Sequence, residues 1–462
     1  LLVLGLGGLQ NKPLVKIDGF MYIVASKLNS VLYYMSKCVT GGQGCVFFKE
    51  LKCVDGSQNH EDRKRYISKL QKDENTNYEY SIISYLRRTI PKHVPDYHKY
   101  TILDDITKCV PIKTQDEIQK DCPKCTIPYK NNTNVSTLNM PYKGLSLDQI
   151  LLSTTLIPDL WKATRYTSVS KIYSKALKYY TNSSFPSNSI KEHLDNPAVI
   201  EYIHIEYSFK TLNNRLIDMF SKLIKTINTL GVYHSDIKAS NILMDVSTTS
   251  PSKYEFHNAN IHIIDWGITN LSTGSTINLN RPLCIPILHP SFMGYYNIHV
   301  KDSNIENIVF TYLSTNPIPI TGHVTILNES LSLLTGISSG YICGLHPKWF
   351  LHIVNCLKHM KANNYGFEYI KTVVLNNKDV VGFISVYVTI YITLYYNYVR
   401  PTFKKYPNKI AIEKNHDPIY KFYQNLGKIC LRVLVDTYTK IDPTEVIYEL
   451  AELNNLLLYP IK

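Results

Sequence analysis

The chain contains no internal repeat and no long low-complexity tract, so repeat arrays and fibrous architectures are excluded. Nor does its cysteine spacing suggest a disulfide framework. Its ten cysteines are scattered, without the regular spacings of a small secreted scaffold, which suits a reducing compartment. The opening LLVLGLGGLQ also reads as a poor signal peptide: it is apolar but short, with neither a basic n-region nor a clear cleavage site. That opening has no Met. Residues 1–20 therefore read as a leader, from a fragment or from translation upstream of a start near Met21. Acidic residues are in deficit, 37 Asp and Glu against 50 Lys and Arg, for a formal net charge of +13. The excess is spread along the chain rather than gathered, so it reads as surface charge and not as a specific nucleic-acid site. The sequons at Asn131 and Asn134 are of a kind common by chance and read as unused.

What is present suffices for a substantial core. The chain has 462 residues, 44% of them apolar, enough for one large domain with insertions or two ordinary ones. The most informative stretch is YHSDIKASNILMD, Tyr233 to Asp245, followed by IHIIDWG, Ile261 to Gly267. Two carboxylates and an amide stand there as a phosphoryl-transfer site needs them. Asp236 can orient an acceptor hydroxyl and take its proton, and Lys238 can neutralise charge on a migrating phosphoryl group. Asn241 and Asp265 can hold Mg²⁺. Positioning and electrostatic stabilisation supply most of the catalysis in such transfers, so a few fixed oxygens and one cation go far.

Upstream, CVTGGQGCVFFKELKCV, Cys38 to Val54, reads as strand, glycine turn, strand. Glycines let the backbone bend close to an anion and present N–H groups to it; an ordinary hairpin turn would look the same. YISKL, Tyr66 to Leu70, is a short alternating strand carrying Lys69. DENTNYEYSIISYLRR reads as a helix with Ile82, Ile83 and Leu86 on its apolar side. His93 to Cys125 reads as an irregular insertion ending in CPKC. A lone C-x-x-C is half a zinc site. Cys53 and Cys109 could complete four thiolates with Cys122 and Cys125, but without a second close pair the expectation is free thiols. Val135 to Met140 reads as a strand, Pro141 to Gly144 as a turn, and SLDQILL as a helix. Asn213 to Leu230 carries a helical stripe through Leu216, Met219, Phe220, Leu223, Ile224 and Ile227. The polar run between Asp245 and Ile261 reads as a widened hairpin. The C-terminal IYKFYQNLGKICLRVLVDTYTKIDPTEVIYELAELNNLL reads as two amphipathic helices.

The combination H-x-D-x-K-x-x-N, then D-x-G after an apolar strand, resembles the catalytic and metal-binding loops of eukaryotic-type protein kinases. GGQGCVF, YISKL, NYEYSII, HSDIKASN and IIDWG together resemble the serine/threonine kinase-like proteins of nucleocytoplasmic large DNA viruses. The resemblance covers most of Cys38 to Leu458. It implies an α+β fold of two lobes: a small antiparallel β lobe with one helix over residues 21–140, then a larger helical lobe over 141–462 with insertions at 166–207 and 296–375. It implies Mg-ATP as the phosphoryl donor and Ser or Thr of an unidentified protein as the acceptor. The phosphates would lie under Gly41, Gly42 and Gly44, beside Val46, with the adenine on backbone groups of a hinge near Met140 and Tyr142. Lys69 would bridge the α- and β-phosphates, with Lys64 and Lys72 as rivals. Glu79, or alternatively Glu74, would pair with it. His234 would brace the metal loop. Asp379 would brace the Asp236 loop from a buried helix, so the uncharged run Val380–Val399, long enough to span a membrane, reads as core, and no transmembrane segment is expected. The viral resemblance implies the host cytoplasm or the virion; cysteine usage alone implies an intracellular protein.

Departures from the family pattern also carry expectations. Ser235 replaces the Arg that receives an activation-loop phosphate, which implies activity without that modification. Trp266 replaces Phe. No Ala-Pro-Glu appears, and Glu306 is a poor substitute, which leaves the acceptor class open. A small-molecule kinase of the aminoglycoside type is the first rival, and Lys238 argues against it because that group often has His there. A pseudokinase scaffold is the second, and the retained Lys, base and metal Asp argue against it. A purely structural polar loop is the third.

Overall fold

The computed structural model describes residues 38–40, 44–54, 66–112, 115–125, 127, 134–152, 209–250, 253–271, 290–301, 304–316, 322–337, 340–363, 369–395, 418–435 and 438–457. The leader over 1–20, Gly41, Gly42, Lys64 and the stretch 166–207 lie outside them. Within them the protein is α+β, with antiparallel sheets.

The first part is a five-stranded sheet. It begins with β1 (Cys38–Thr40), β2 (Gly44–Phe47) and β3 (Tyr66–Lys72). The helix α1 (Asp73–Thr89) follows directly, with Asp73 and Glu74 in its first turn and Arg87 and Arg88 in its last, each complementing the helix dipole. Its buried residues Thr76, Glu79, Ile82, Ile83 and Leu86 recur at three- and four-residue steps and so form one face. Then come β4 (Thr107–Cys109), α2 (Gln115–Asp121) and β5 (Val135–Pro141). The strand order is β1-β2-β3-β5-β4, every neighbour antiparallel. A Cβ on Gly44 would lie 2.4 Å from the Leu70 carbonyl oxygen, so the close approach of β2 to β3 by itself demands glycine there.

Strand alternation divides this sheet into two faces. Val46, Lys69 and Leu138 are register partners and share one face; Cys45, Leu70 and Thr137 share the other. On the first face Ile67, Leu138 and Met140 join α1 and the large core of the chain. On the second, Cys45, Phe47 and Leu70 pack with Ile118, Cys122 and Cys125 in a separate cluster.

Residues 93–125 are not an irregular insertion throughout. Tyr100, Ile102, Leu103 and Ile106 are buried in the main core, and β4 forms the edge strand beside β5. Three strand residues are too few for an alternation to show in the sequence. The cysteines also depart from expectation: Cys38–Cys122, Cys45–Cys125 and Cys53–Cys109 are disulfide-bonded rather than free. Cys53 and Cys109 pair with each other and do not complete a site with Cys122 and Cys125.

The second part is mainly helical. After β6 (Leu145–Ser146) and α3 (Leu147–Leu152), α4 runs over 209–229 with a π segment at Phe220–Ile224. The expected stripe from Leu216 to Ile227 is fully buried. There follow β7 (Val232–Tyr233), β8 (Ile242–Ser250), β9 (Lys253–Ile263) and β10 (Asn270–Leu271). β8 and β9 form the long hairpin, with β6 on its outer edge, and β10 pairs with β7. The helices α5 (Pro290–His299), α6 (Ile305–Thr315), α7 (Gly322–Thr335) and α8 (Pro347–Ala362) occupy most of the stretch read as an insertion. Ile308, Val309, Ile353 and Val354 bring it into the same core as the rest.

At the centre is α9 (Leu375–Leu394), packed against α10 (Pro418–Val435), on which α11 (Pro443–Glu452) packs in turn. Phe383 of α9 stacks on Phe220 of α4, ring centroids 4.1 Å apart. One described helix, Thr372–Leu394, is long and apolar enough to cross a membrane, but 67% of its apolar window is buried within the chain. That burial marks a core helix.

Candidate active site

The described polar cluster forms where the first sheet face meets the loops around α9. Lys69 points from the middle of β3 toward α1. Its Nζ lies 2.8 Å from Glu79 Oε2 and 2.7 Å from Asp265 Oδ1. Gln71, two residues on and hence on the same face, donates to the same Glu79 oxygen at 2.8 Å. Burial disfavours the Lys69 ammonium, but the Asp265 and Glu79 carboxylates outweigh it and hold the group above the ordinary lysine range. Burial likewise works against the Asp265 carboxylate, and the Lys69 charge reverses that and pulls its pKa down. Both groups are therefore ionised at neutral pH. Glu74 is exposed. Lys72 closes β3 at the start of α1.

The second set sits on the segment after β7. Lys238 Nζ lies 2.9 Å from Asp236 Oδ2, and Asn241 Nδ2 donates to the Asp236 carbonyl at 2.9 Å and to Oδ2 at 3.0 Å. Asn241 thus spends its amide hydrogens inward, which leaves its Oδ1 as the atom that could meet a cation. Asp236 Oδ1 is buried and has no hydrogen-bond partner among the described residues. A carboxylate oxygen in that condition calls for a proton donor.

Backbone geometry around these groups is strained and held. Among the described non-glycine residues, only Ser235 (φ 69°), Asp265 (φ 69°) and Cys343 (φ 50°) have positive φ; Asp265 belongs to the polar cluster and Ser235 adjoins it. Such conformations cost of the order of 1–3 kcal/mol each and persist where surrounding contacts enforce them. Asp379 of α9 accepts from the backbone N–H of His234 at 2.9 Å and of Ser235 at 2.7 Å. Ser235 Oγ accepts from Asn270 Nδ2 at 2.7 Å. His234 Nδ1 accepts from the Asp236 N–H at 3.3 Å, so its proton sits on Nε2, which faces the Ile264 carbonyl at 3.1 Å. Burial lowers the His234 pKa and keeps the ring neutral, as this pattern requires. Its ring lies 4.5 Å from that of Trp266, which is fully buried next to Asp265. Tyr78 of α1 donates to the Thr269 carbonyl at 2.6 Å, which ties the helix bearing Glu79 to the stretch following Asp265.

The structure thus brings together Lys69, Glu79 and Asp265 in one contact set, and Asp236, Lys238 and Asn241 in another. The two are joined through the backbone: Ile264 N–H donates to the Asn241 carbonyl at 3.0 Å. Val46 shares the face of Lys69 by register. Met140 is buried near the end of β5, and Tyr142 follows it with an exposed ring. Gln71, Tyr78 and Asn270 had no signal in the sequence, because each acts through a contact between distant segments. The chain matches no protein-family model and no curated protein, so the reading of the site rests on its own chemistry.

Proposed function

We propose that this chain is an ATP-dependent protein kinase of bilobal kinase-like fold, transferring the γ-phosphate of Mg-ATP to Ser or Thr hydroxyls of proteins. One observation carries the reading: a buried Lys–Glu–Asp relay faces a loop in which a carboxylate oxygen is left unpaired beside a lysine. Hard oxygen donors at Asn241 and Asp265 suit Mg²⁺ better than a softer metal. When bound, that ion neutralises and orients the phosphate oxygens.

The chain's own residues supply the rest. Lys69, kept charged and aimed by Glu79, holds phosphate oxygens in place. Asp236 accepts the hydrogen of the incoming hydroxyl on its unpaired Oδ1, while Lys238 and Asn241 fix its other oxygen. Lys238 is placed to offset charge as the phosphoryl group moves. Asp379, His234 and Asn270 keep the loop in its strained form. The sheet part and the helical part are the two lobes of this reading, and β5 leads into the hinge.

The test is incubation with γ-labelled ATP, Mg²⁺ and mixed protein substrates, followed by phosphoamino-acid analysis. Label in phosphoserine or phosphothreonine supports the proposal. Label found only in small hydroxylated acceptors overturns the protein-kinase assignment.

A further inference from the structure

The CPKC motif has no part in the site above, yet the fold places it with care. Cys38 pairs in register with Phe47, and Thr40 with Cys45, so Cys38 and Cys45 project from one face of the β1–β2 hairpin. This is the face opposite Lys69. CPKC closes α2 as a tight turn: Cys122 N–H donates to the Ile118 carbonyl at 2.8 Å and Cys125 N–H to the Cys122 carbonyl at 2.9 Å. Both of its cysteines bond to the hairpin, Cys122 to Cys38 and Cys125 to Cys45.

Three of these sulfurs form one cluster that spans the two bridges. The Sγ atoms of Cys45, Cys122 and Cys125 lie within 4.8 Å of one another, although Cys45 and Cys122 belong to different bridges. Cys38 is bonded directly to Cys122. Around a tetrahedral zinc with Zn–S near 2.3 Å, thiolates stand about 3.8 Å apart. The three-sulfur cluster approaches that scale, and Cys38 is joined to it through its bond to Cys122. Cys45, Cys122 and Cys125 are buried, and Phe47, Leu51, Leu70 and Ile118 form an apolar shell that shields the sulfurs from water. The Cys53–Cys109 bridge differs: it belongs to no group of three metal-capable side chains among the described residues.

We propose that Cys38, Cys45, Cys122 and Cys125 form a structural zinc site when reduced, clamping the base of the glycine turn to α2. That the working form is reduced rests on the intracellular kinase reading, since disulfides are rare in reducing compartments. Opening both bridges takes four electrons and four protons from two molecules of a dithiol reductant, each of which becomes its own disulfide. Zn²⁺ then displaces the four thiol protons and binds four thiolates.

The experiment is to purify the full chain with a non-chelating reductant and added ZnCl₂, remove excess metal, and measure zinc by mass spectrometry. The expected content is about one zinc per chain, falling to background in the Cys122→Ser/Cys125→Ser variant and unchanged in Cys53→Ser/Cys109→Ser. Because the first variant could fail to fold, Co²⁺ is loaded into the wild-type chain as well, and the intense visible absorption of a tetrahedral tetrathiolate is expected. A folded, reduced chain with four alkylatable thiols here, no zinc and no such absorption would overturn the proposal. Neither readout uses phosphoryl transfer. Zinc without kinase activity removes the kinase reading alone, and kinase activity without zinc removes this proposal alone.

Discussion

Asp379 accepts the backbone N–H of Ser235 at 2.7 Å, and Ser235 is held at φ 69°. A buried carboxylate on the central helix thereby sets the shape of the loop that carries Asp236. Burial raises the Asp379 pKa, and the two backbone donors oppose that shift. Asp379→Asn keeps the volume but turns a donor toward one of those N–H groups. We expect a stability loss of ~2–4 kcal/mol from the broken buried pairing, and a further fall in turnover of about a hundredfold from a displaced Asp236. Urea melts and kcat at a temperature where the variant stays folded separate the two. Full turnover in a folded Asp379→Asn protein would show that the loop holds its shape unaided.

Gly382, one turn further along the same helix, tests a second contact with that loop from the packing side. A Cβ there would sit 3.0 Å from the Ile237 carbonyl oxygen and 3.1 Å from Ile237 Cβ. In Gly382→Ala the helix gains about 1 kcal/mol of propensity, and crowding costs about as much or somewhat more. Stability should change little while turnover drops, because Ile237 adjoins Asp236. Unaltered turnover would mean the contact relaxes away from the loop.

Lys69 is the third test. Lys69→Met removes the cation between Glu79 and Asp265, and a loss of ~10²–10³-fold in kcat is expected, as for removal of one preorganised charge at a transition state. Unchanged kcat would move the phosphate-holding role to Lys64 or Lys72.

Stability should also depend on pH through His262. This ring is buried in β9; desolvation first, then the Lys143 charge, lower its pKa to about 4. Between the ordinary histidine value of ~6.5 and that value, the unfolded chain binds a proton that the folded chain refuses. Stability is therefore greatest above that window and falls as pH drops through it, by at most ~3 kcal/mol from this group. His234, also buried and lowered, adds in the same direction. His262→Gln should flatten the pH dependence of the urea midpoint from neutrality down to about pH 4. An equally steep decline in the variant would assign the effect elsewhere.

Much of this arrangement was legible because the decisive elements are long or local. YISKL alternates, so Lys69 could be placed on a strand, and β3 spans Tyr66–Lys72. α1 carries its apolar face at regular steps, and Glu79 falls on it. Asp379 is placed on a buried helix by the kinase resemblance, and that placement is what makes the uncharged run after it read as core. β4 was not legible, since three residues give no period. The bridges were not legible either, because their partners lie 84, 80 and 56 residues apart and meet only through sheet register. The bond from Asn270 to Ser235 depends on β10 returning beside β7, a pairing of two residues each. No spacing rule anticipates it. The stretch 296–375 reads as an insertion because it lacks motifs; the burial of Ile308, Val309, Ile353 and Val354 within it depends on packing between distant segments.

The most direct test is γ-phosphate transfer by Asp236→Asn, with Mg-ATP affinity measured on the same preparation. The amide cannot take the hydroxyl proton, and the substitution leaves Lys69, Asn241 and Asp265 in place. Transfer should fall by at least ~10²-fold, on the scale of a positioned general base, while the Kd for Mg-ATP stays within a few-fold of wild type. Wild-type transfer by Asp236→Asn would contradict the assignment of this loop as the catalytic centre.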